Sequence, residues 1–315
     1  MINTRTFNIP ILFIVFNRLD TTKQVFAKIK EITPERLYIA SDGPRSNRPG
    51  ESETVNSIRE FILNSIDWNC EIKTLFREKN LGCGKAVSTA ISWFFENEDM
   101  GIILEDDCLP SISFFPYCRE LLEKYRDNQR IFHITGHNPL TLTKMPYSYY
   151  FSRIQHCWGW ASWKRAFEHY SFEITDLDVT LNNKNFKRIF HSKEERLHWI
   201  DVFRKMEKHQ IDTWDHQWTY AIIKNNGLCI NPAKNLVSNL GFNNEATHTL
   251  DSSSIYNRQP SYEINNMVHP CKIKIDTSLI KKISKVAFNI DISISGKFKR
   301  MIPSFIKYPV KKLIS

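Results

Sequence analysis

The sequence predicts an α/β protein: a mostly parallel sheet sandwiched by helices, followed by a less regular half and a basic tail. Three observations carry that expectation. Short apolar runs alternate with amphipathic stretches up to about residue 125. One of those runs, GIILEDDCLP at 101–110, passes from Ile102-Ile103-Leu104 straight into Glu105-Asp106-Asp107. The other runs end in loops rich in charge or glycine, and the carboxyl edge of such a sheet is where ligands bind.

Residues 11–16 are uniformly apolar and read as a buried strand, closed by the turn Asn17-Arg18-Leu19-Asp20. A helix follows over 21–32, with Val25, Ile29 and Ile32 on one face. Residues 37–40 form a second strand, stopped by Ser41-Asp42-Gly43-Pro44. A helix over 52–66, a strand over 71–76, a loop to Gly84 and a helix over 85–95 lead into the acidic strand. Residues 114–125 make one more helix.

The pattern then changes. Strands are expected at 131–135, 228–231 and 236–239, and an extended segment at 147–155. Helices are expected at 161–170, 194–209 and 214–225; the second has acids early and bases late, as the helix dipole prefers. Residues 240–262 are polar and irregular and read as a loop that closes over a bound ligand. The expected division is a nucleotide-binding part at 1–130, an acceptor-binding part at 131–262 and a basic amphipathic tail at 263–315.

Charge is unevenly placed. Residues 271–315 hold 11 Lys and Arg against 2 acids, which accounts for the whole net charge of +9. The neutral body argues against nucleic acid as a partner. The tail interleaves lysines with Ile, Leu and Phe, a pattern suited to a membrane surface or to docking on the body. Seven scattered cysteines without a CxxC pair fit free thiols in a reducing cytoplasm. The apolar run at 9–16 is too short to span a membrane.

Three adjacent carboxylates repel one another unless a cation lies beside them. Capping a helix would account for one acid, not three. Oxygen ligands at a strand end suit a hard ion such as Mg2+ or Mn2+ shared with phosphates. Arg18 and Asp42 are placed to contact a base or ribose, Gly82 and Gly84 to let backbone approach a ligand, and Lys85 to contact phosphate. There is no GxGxxG after the first strand and no GxxxxGK[ST], which disfavours a classical dinucleotide site and a P-loop.

The second half offers WGWASW at 158–163, where Trp158 and Trp160 could stack on a sugar or plug the core. In TWDHQW, Asp215 sits between tryptophans at a helix start, where desolvation would favour a general base; a plain N-cap is the simpler reading. His248 in the polar loop is a candidate metal or phosphate ligand, or simply solvated.

ILEDDCLPSISFF resembles the metal-binding segment of the GT-A glycosyltransferases, whose fold is Rossmann-like, and most closely the N-acetylglucosaminyltransferase I type. The resemblance runs over roughly residues 8–250. It implies that Arg18 in FIVFNR contacts the nucleotide, that Asp42 in IASDG binds uridine and that Asp107 holds manganese, with Glu105 and Asp106 beside it. It also implies that Asp215 in TWDHQW is the inverting base and that His248 is a further metal ligand. The family's tandem acid after the tryptophan is here Asp215-His216, which shifts the register of the base by up to one residue. The implied activity is metal-dependent transfer from a UDP-sugar to a glycan or lipid-linked acceptor in cell-surface polysaccharide synthesis. The expected enzyme is of the bacterial kind, without a Golgi-type anchor, cytoplasmic and peripheral at the inner face of the plasma membrane through 271–315. The competing readings are a sugar nucleotidyltransferase and a non-catalytic binding module on the same fold.

Overall fold

The computed structural model describes residues 7–140, 145–190, 192–241 and 259–288. In chain order the first half runs β1 (Ile11–Val15), α1 (Leu19–Ile32), β2 (Arg36–Ser41), α2 (Glu51–Ser65), β3 (Glu71–Phe76), α3 (Gly82–Asn97), β4 (Met100–Glu105), β5 (Cys108–Pro110) and α4 (Phe114–Lys124). The second half runs β6 (Ile131–Thr135), β7 (Tyr149–Ser152), β8 (Trp160–Trp163), α5 (Lys164–Phe167), α6 (Leu177–Asn182), α7 (Lys184–Ile189), α8 (Lys193–Glu207), α9 (Asp215–Lys224), β9 (Leu228–Pro232), β10 (Val237–Asn239) and α10 (Thr277–Phe288).

Among the described residues the central sheet has eight strands in the order β3-β2-β1-β4-β8-β6-β9-β7, drawn from both sides of residue 130. β3, β2, β1 and β4 are parallel, so their carboxyl ends share one edge. β8 runs antiparallel between β4 and β6, which returns β6 to the direction of β4. The amino end of β8 therefore meets the carboxyl ends of β4 and β6 at the same edge.

The interior strands β1, β2 and β4 are largely apolar on both sides because both faces are covered, while the edge strand β3 has no buried residue. Alternate residues divide between two cores. Ile11, Phe13, Leu37, Ile39, Ile102 and Leu104 pack with Val25, Phe26, Ile58, Ile62 and Phe115 under α1, α2 and α4. Leu12, Tyr38 and Ile103 pack with Ile91, Phe94, Trp214, Trp218 and Ile222 under α3 and α9. A separate cluster, including Leu177, Phe186, Trp199, Phe203 and Tyr220, joins α6 to α9. Ser192 caps α8 by accepting from Glu195 N at 3.0 Å.

One expectation is corrected, and of the two readings of the tail, docking on the body holds for the apolar face of α10. Residues 160–163 are a strand, not the start of a helix; hydrogen bonding to β4 and β6 on either side outweighs the weak local preference of Trp-Ala-Ser-Trp. In the tail, α10 turns its apolar side inward. Leu279, Ile280 and Ile283 are buried against Tyr150 and Ile154, so that face is not free for lipid. Lys281, Lys282 and Lys285 stay exposed. The rest of the tail, 289–315, lies outside the described residues. Among the described residues no helix is long and apolar enough to cross a membrane. All seven cysteines are unpaired thiols.

Candidate functional site

The acids stand at the carboxyl edge, where β4 is flanked by β1 and β8. Each is held differently. Asp106 is buried, and its Oδ2 accepts from Phe16 N at 3.0 Å, which ties the β4 edge to that of β1. Asp107 is more open; its Oδ2 accepts from Arg18 Nη1 at 2.8 Å. Glu105 ends β4 in register with Ile14. Burial first, then the charges of Asp107 and Asp106, pushes the Glu105 carboxyl well up. Burial and Asp107 push Asp106 up as well, against the Phe16 N–H and Arg18.

Asp42 is buried at the end of β2 and turned into the protein. Its carboxylate accepts from Asn80 Nδ2 at 2.9 Å and from Leu81 N at 3.0 Å, so it holds the loop before α3. Gly43 next to it must be glycine: a Cβ there would lie 2.5 Å from Lys79 N and 2.6 Å from Glu78 C. Arg59 of α2 knits these loops together, donating to Ser41 Oγ at 3.0 Å, to the Asp42 carbonyl at 3.0 Å and to the Arg77 carbonyl at 2.7 Å. Glu51 does the same for the loop after β1. It accepts from Asn17 Nδ2 at 2.9 Å and from Arg45 through both backbone and guanidinium, and the Arg45 guanidinium holds its carboxyl down at about 2.

The glycines that the sequence offered to a ligand face a protein carboxylate instead. Asp212 accepts from Cys83 N at 3.2 Å and from Gly84 N at 2.9 Å, capping α3 from 128 residues away. A Cβ on Gly84 would meet Asp212 Oδ1 at 2.7 Å and the Thr213 carbonyl at 2.9 Å. Lys85 in the same turn lies with its Nζ 5.9 Å from the centre of the Phe172 ring.

That clamp brings the segment before α9 to the acid edge. Asp215 opens α9 with a side chain 24% exposed, more open than a sealed base would be. Thr213 Oγ1 donates to its Oδ1, and His216 Nδ1 lies 3.8 Å from its Oδ2. The negative charges of Asp107 and Asp215 both reach Glu105, Cys83 and Cys157. After burial, they are among the causes that push Cys157 well above its usual range, and they also act on the surface thiol of Cys83. The structure thus brings Arg18, Glu105, Asp106, Asp107 and Asp215 to one edge.

The two tryptophans part company. Trp158 is partly exposed at the same edge, 4.4 Å from the His137 ring. Trp160 is fully buried, stacked between His133 at 5.0 Å and Trp214 at 5.5 Å, so neither ring face is open to a sugar. The expectation that Trp160 stacks on a ligand is corrected: it faces the core because β8 is an interior strand. His248 and the segment 242–258 lie outside the described residues. The neighbours of that segment are held at the edge: Leu240 N donates to the Asp107 carbonyl at 2.7 Å, and Gln259 Oε1 lies 3.1 Å from His137 Nε2.

The donors fit a hard divalent cation in part. Asp107 is a carboxylate at the open edge, and two further carboxyls beside it are pushed up by burial and by the Asp107 charge. Among the described residues no three His, Cys, Asp or Glu side chains form a ready cage, so phosphate and water oxygens would complete the shell. Glu51, Arg59 and Asp212 were not found by sequence reasoning. Each lies in or beside a helix or loop whose local pattern gives it a plain surface role.

No protein-family model matches the chain, and no curated protein matches it. Among solved structures, TarS 1-349 of S. aureus is similar at 11% identity, covering 73% of this chain and 59% of that one, with a TM-score of 0.38. The glycosyltransferase GlyE of Streptococcus pneumoniae TIGR4 shows 10% identity over 70% of this chain and 45% of its own, TM-score 0.34. HddC of Yersinia pseudotuberculosis shows 10% identity over 51% of this chain and 80% of its own, TM-score 0.31. The chain therefore spans about three fifths of TarS 1-349 and under half of GlyE.

Proposed function

We propose that the protein is an inverting glycosyltransferase that moves a sugar from a UDP-sugar to a saccharide acceptor. The observation that carries this reading is the meeting of Asp215 with the Glu105-Asp106-Asp107 edge, within reach of Arg18. A carboxylate from the second half of the chain thereby lies near enough to the acid edge for its charge to act on Glu105, Cys83 and Cys157.

Asp215 takes the proton of the attacking hydroxyl. Its Oδ1 is engaged by Thr213, so Oδ2 is the atom that receives it. The Thr213 bond and the α9 backbone fix the direction of that carboxylate. Arg18 supplies positive charge to the diphosphate, with Lys85 as a second cation from the start of α3. Asp42 keeps the nucleoside-side loop in shape through Asn80 and Leu81. Trp158 offers a ring face to a sugar. Asp107 would hold Mn2+ or Mg2+, which when bound acts as a Lewis acid on the UDP leaving group.

The exposed lysines of α10 support a further reading, contact with an anionic inner leaflet beside a lipid-linked acceptor. Flotation on vesicles containing phosphatidylglycerol is expected to carry the full chain and not a chain ending at residue 270; equal flotation rejects it.

The test of the reaction is a thermal-shift panel of UDP-, GDP- and CMP-sugars with and without Mn2+, followed by UDP release from whichever donor binds. The expected result is a UDP-sugar shift that needs Mn2+ and a release rate lost in Asp215→Asn. No shift with any UDP-sugar rejects the reading.

A further inference from the structure

β5 follows Asp107 directly, and β10 pairs with it antiparallel, setting Asn239 opposite Cys108. Val237 anchors β10 in the larger core, where it is fully buried. The chain that leaves β10 is then tied down twice. Leu240 N donates to the Asp107 carbonyl at 2.7 Å. Gly241 N turns back to Asn239 Oδ1, also at 2.7 Å, and Asn239 is 7% exposed.

Gly241 is buried against the pair that Arg18 makes with Asp107. A Cβ there would lie 2.4 Å from Asp107 Oδ2, 3.0 Å from Asn239 Oδ1 and 3.1 Å from Arg18 Nη1. The first distance is too short for any side chain to exist at this position without movement. Relief needs the carboxylate or the guanidinium to shift, and either shift disturbs the 2.8 Å bond between them. The two oxygens of Asp107 thus differ. Oδ2 is taken by Arg18 and packed against Gly241. Oδ1 accepts a weak S–H contact from Cys108 at 3.4 Å, which leaves it lone-pair capacity for a ligand. The Asp107 side chain is 18% exposed, so the carboxylate is within reach of solvent.

We propose that Gly241, tethered by Asn239, is a positioning residue for the diphosphate site. Its bare backbone packs on the Arg18–Asp107 pair, fixes Oδ2 toward Arg18 and leaves Oδ1 to face the incoming ligand. This rests on the UDP-sugar reading, because it is the diphosphate that would use the charges so arranged. Gly241 touches neither donor nor acceptor in this account and acts through Arg18 and Asp107.

The test uses the full chain and calorimetry of UDP with Mn2+. Gly241→Ala is expected to weaken UDP about tenfold or more when Arg18 is present. In the Arg18→Ala background no pair is left to disturb, and the same substitution is expected to cost less than about twofold further. A general structural role would weaken UDP equally in both backgrounds, so equal losses overturn the proposal. If Gly241→Ala does not fold, as its melting curve shows, Asn239→Ala takes its place, since it releases Gly241 N. A loss of about threefold or more confined to the chain that keeps Arg18 supports the proposal; no loss, or equal loss, overturns it. A wild type that binds UDP no better than Gly241→Ala overturns this proposal alone. A wild type that binds no UDP overturns the donor reading, and this proposal with it.

Discussion

Arg18 Nη1 donates to Asp107 Oδ2 at 2.8 Å, joining residues 89 apart across the β1 and β4 edges. This pair sets positive charge against a carboxyl cluster that is otherwise self-repelling. Arg18→Ala is expected to raise the KM for the UDP-sugar about tenfold or more, because a charge-assisted contact to phosphate is lost. Steady-state kinetics checks this; an unchanged KM would make the pair a structural link only.

Glu51 ties the loops after β1 and β2 through Asn17 and Arg45. Its carboxyl titrates at about 2 in the folded chain, below its ordinary 4.5. A depressed carboxylate adds stability that is complete above the ordinary value and is lost as pH falls through the folded one. Glu51→Gln is therefore expected to melt lower than wild type at neutral pH, with the gap closing between about pH 4.5 and about pH 2. A gap that stays constant through that window contradicts the assignment.

Asp212 caps α3 from the chain segment that carries Asp215. Asp212→Ala is expected to cost about 0.5–2 kcal/mol in a denaturant melt, and Asp212→Asn less, because an amide oxygen still accepts. The same substitution should lower kcat more than it weakens UDP, since it frees the base and not the diphosphate site.

Gly43 passes against the backbone of Glu78 and Lys79. Gly43→Ala has no flexible side chain to push aside, and a loss of about 1–3 kcal/mol is expected. Urea unfolding measures it; a neutral result would place those loops further apart than described here.

The parallel half was legible because each strand there is a short apolar run ended by a turn, and periodicity reports burial directly. The acids stood out because three charges at the end of such a run have no role in packing. What escaped was set by distant partners. Trp160–Trp163 is a strand only because β4 and β6 flank it. Asp212 acts on a helix 128 residues earlier, and Arg59 reads as a solvated helix residue until the segments after β2 and β3 fold around it. Gly82 and Gly84 were read as room for a ligand, and the room is taken by a carboxylate from the other half.

The most direct test is a calorimetric titration of UDP in the presence of Mn2+ with the wild type and Asp107→Ala side by side. A manganese-dependent UDP affinity that disappears in the variant is the predicted result. Equal affinity in both proteins, or UDP binding indifferent to manganese, would contradict a diphosphate site built on Asp107.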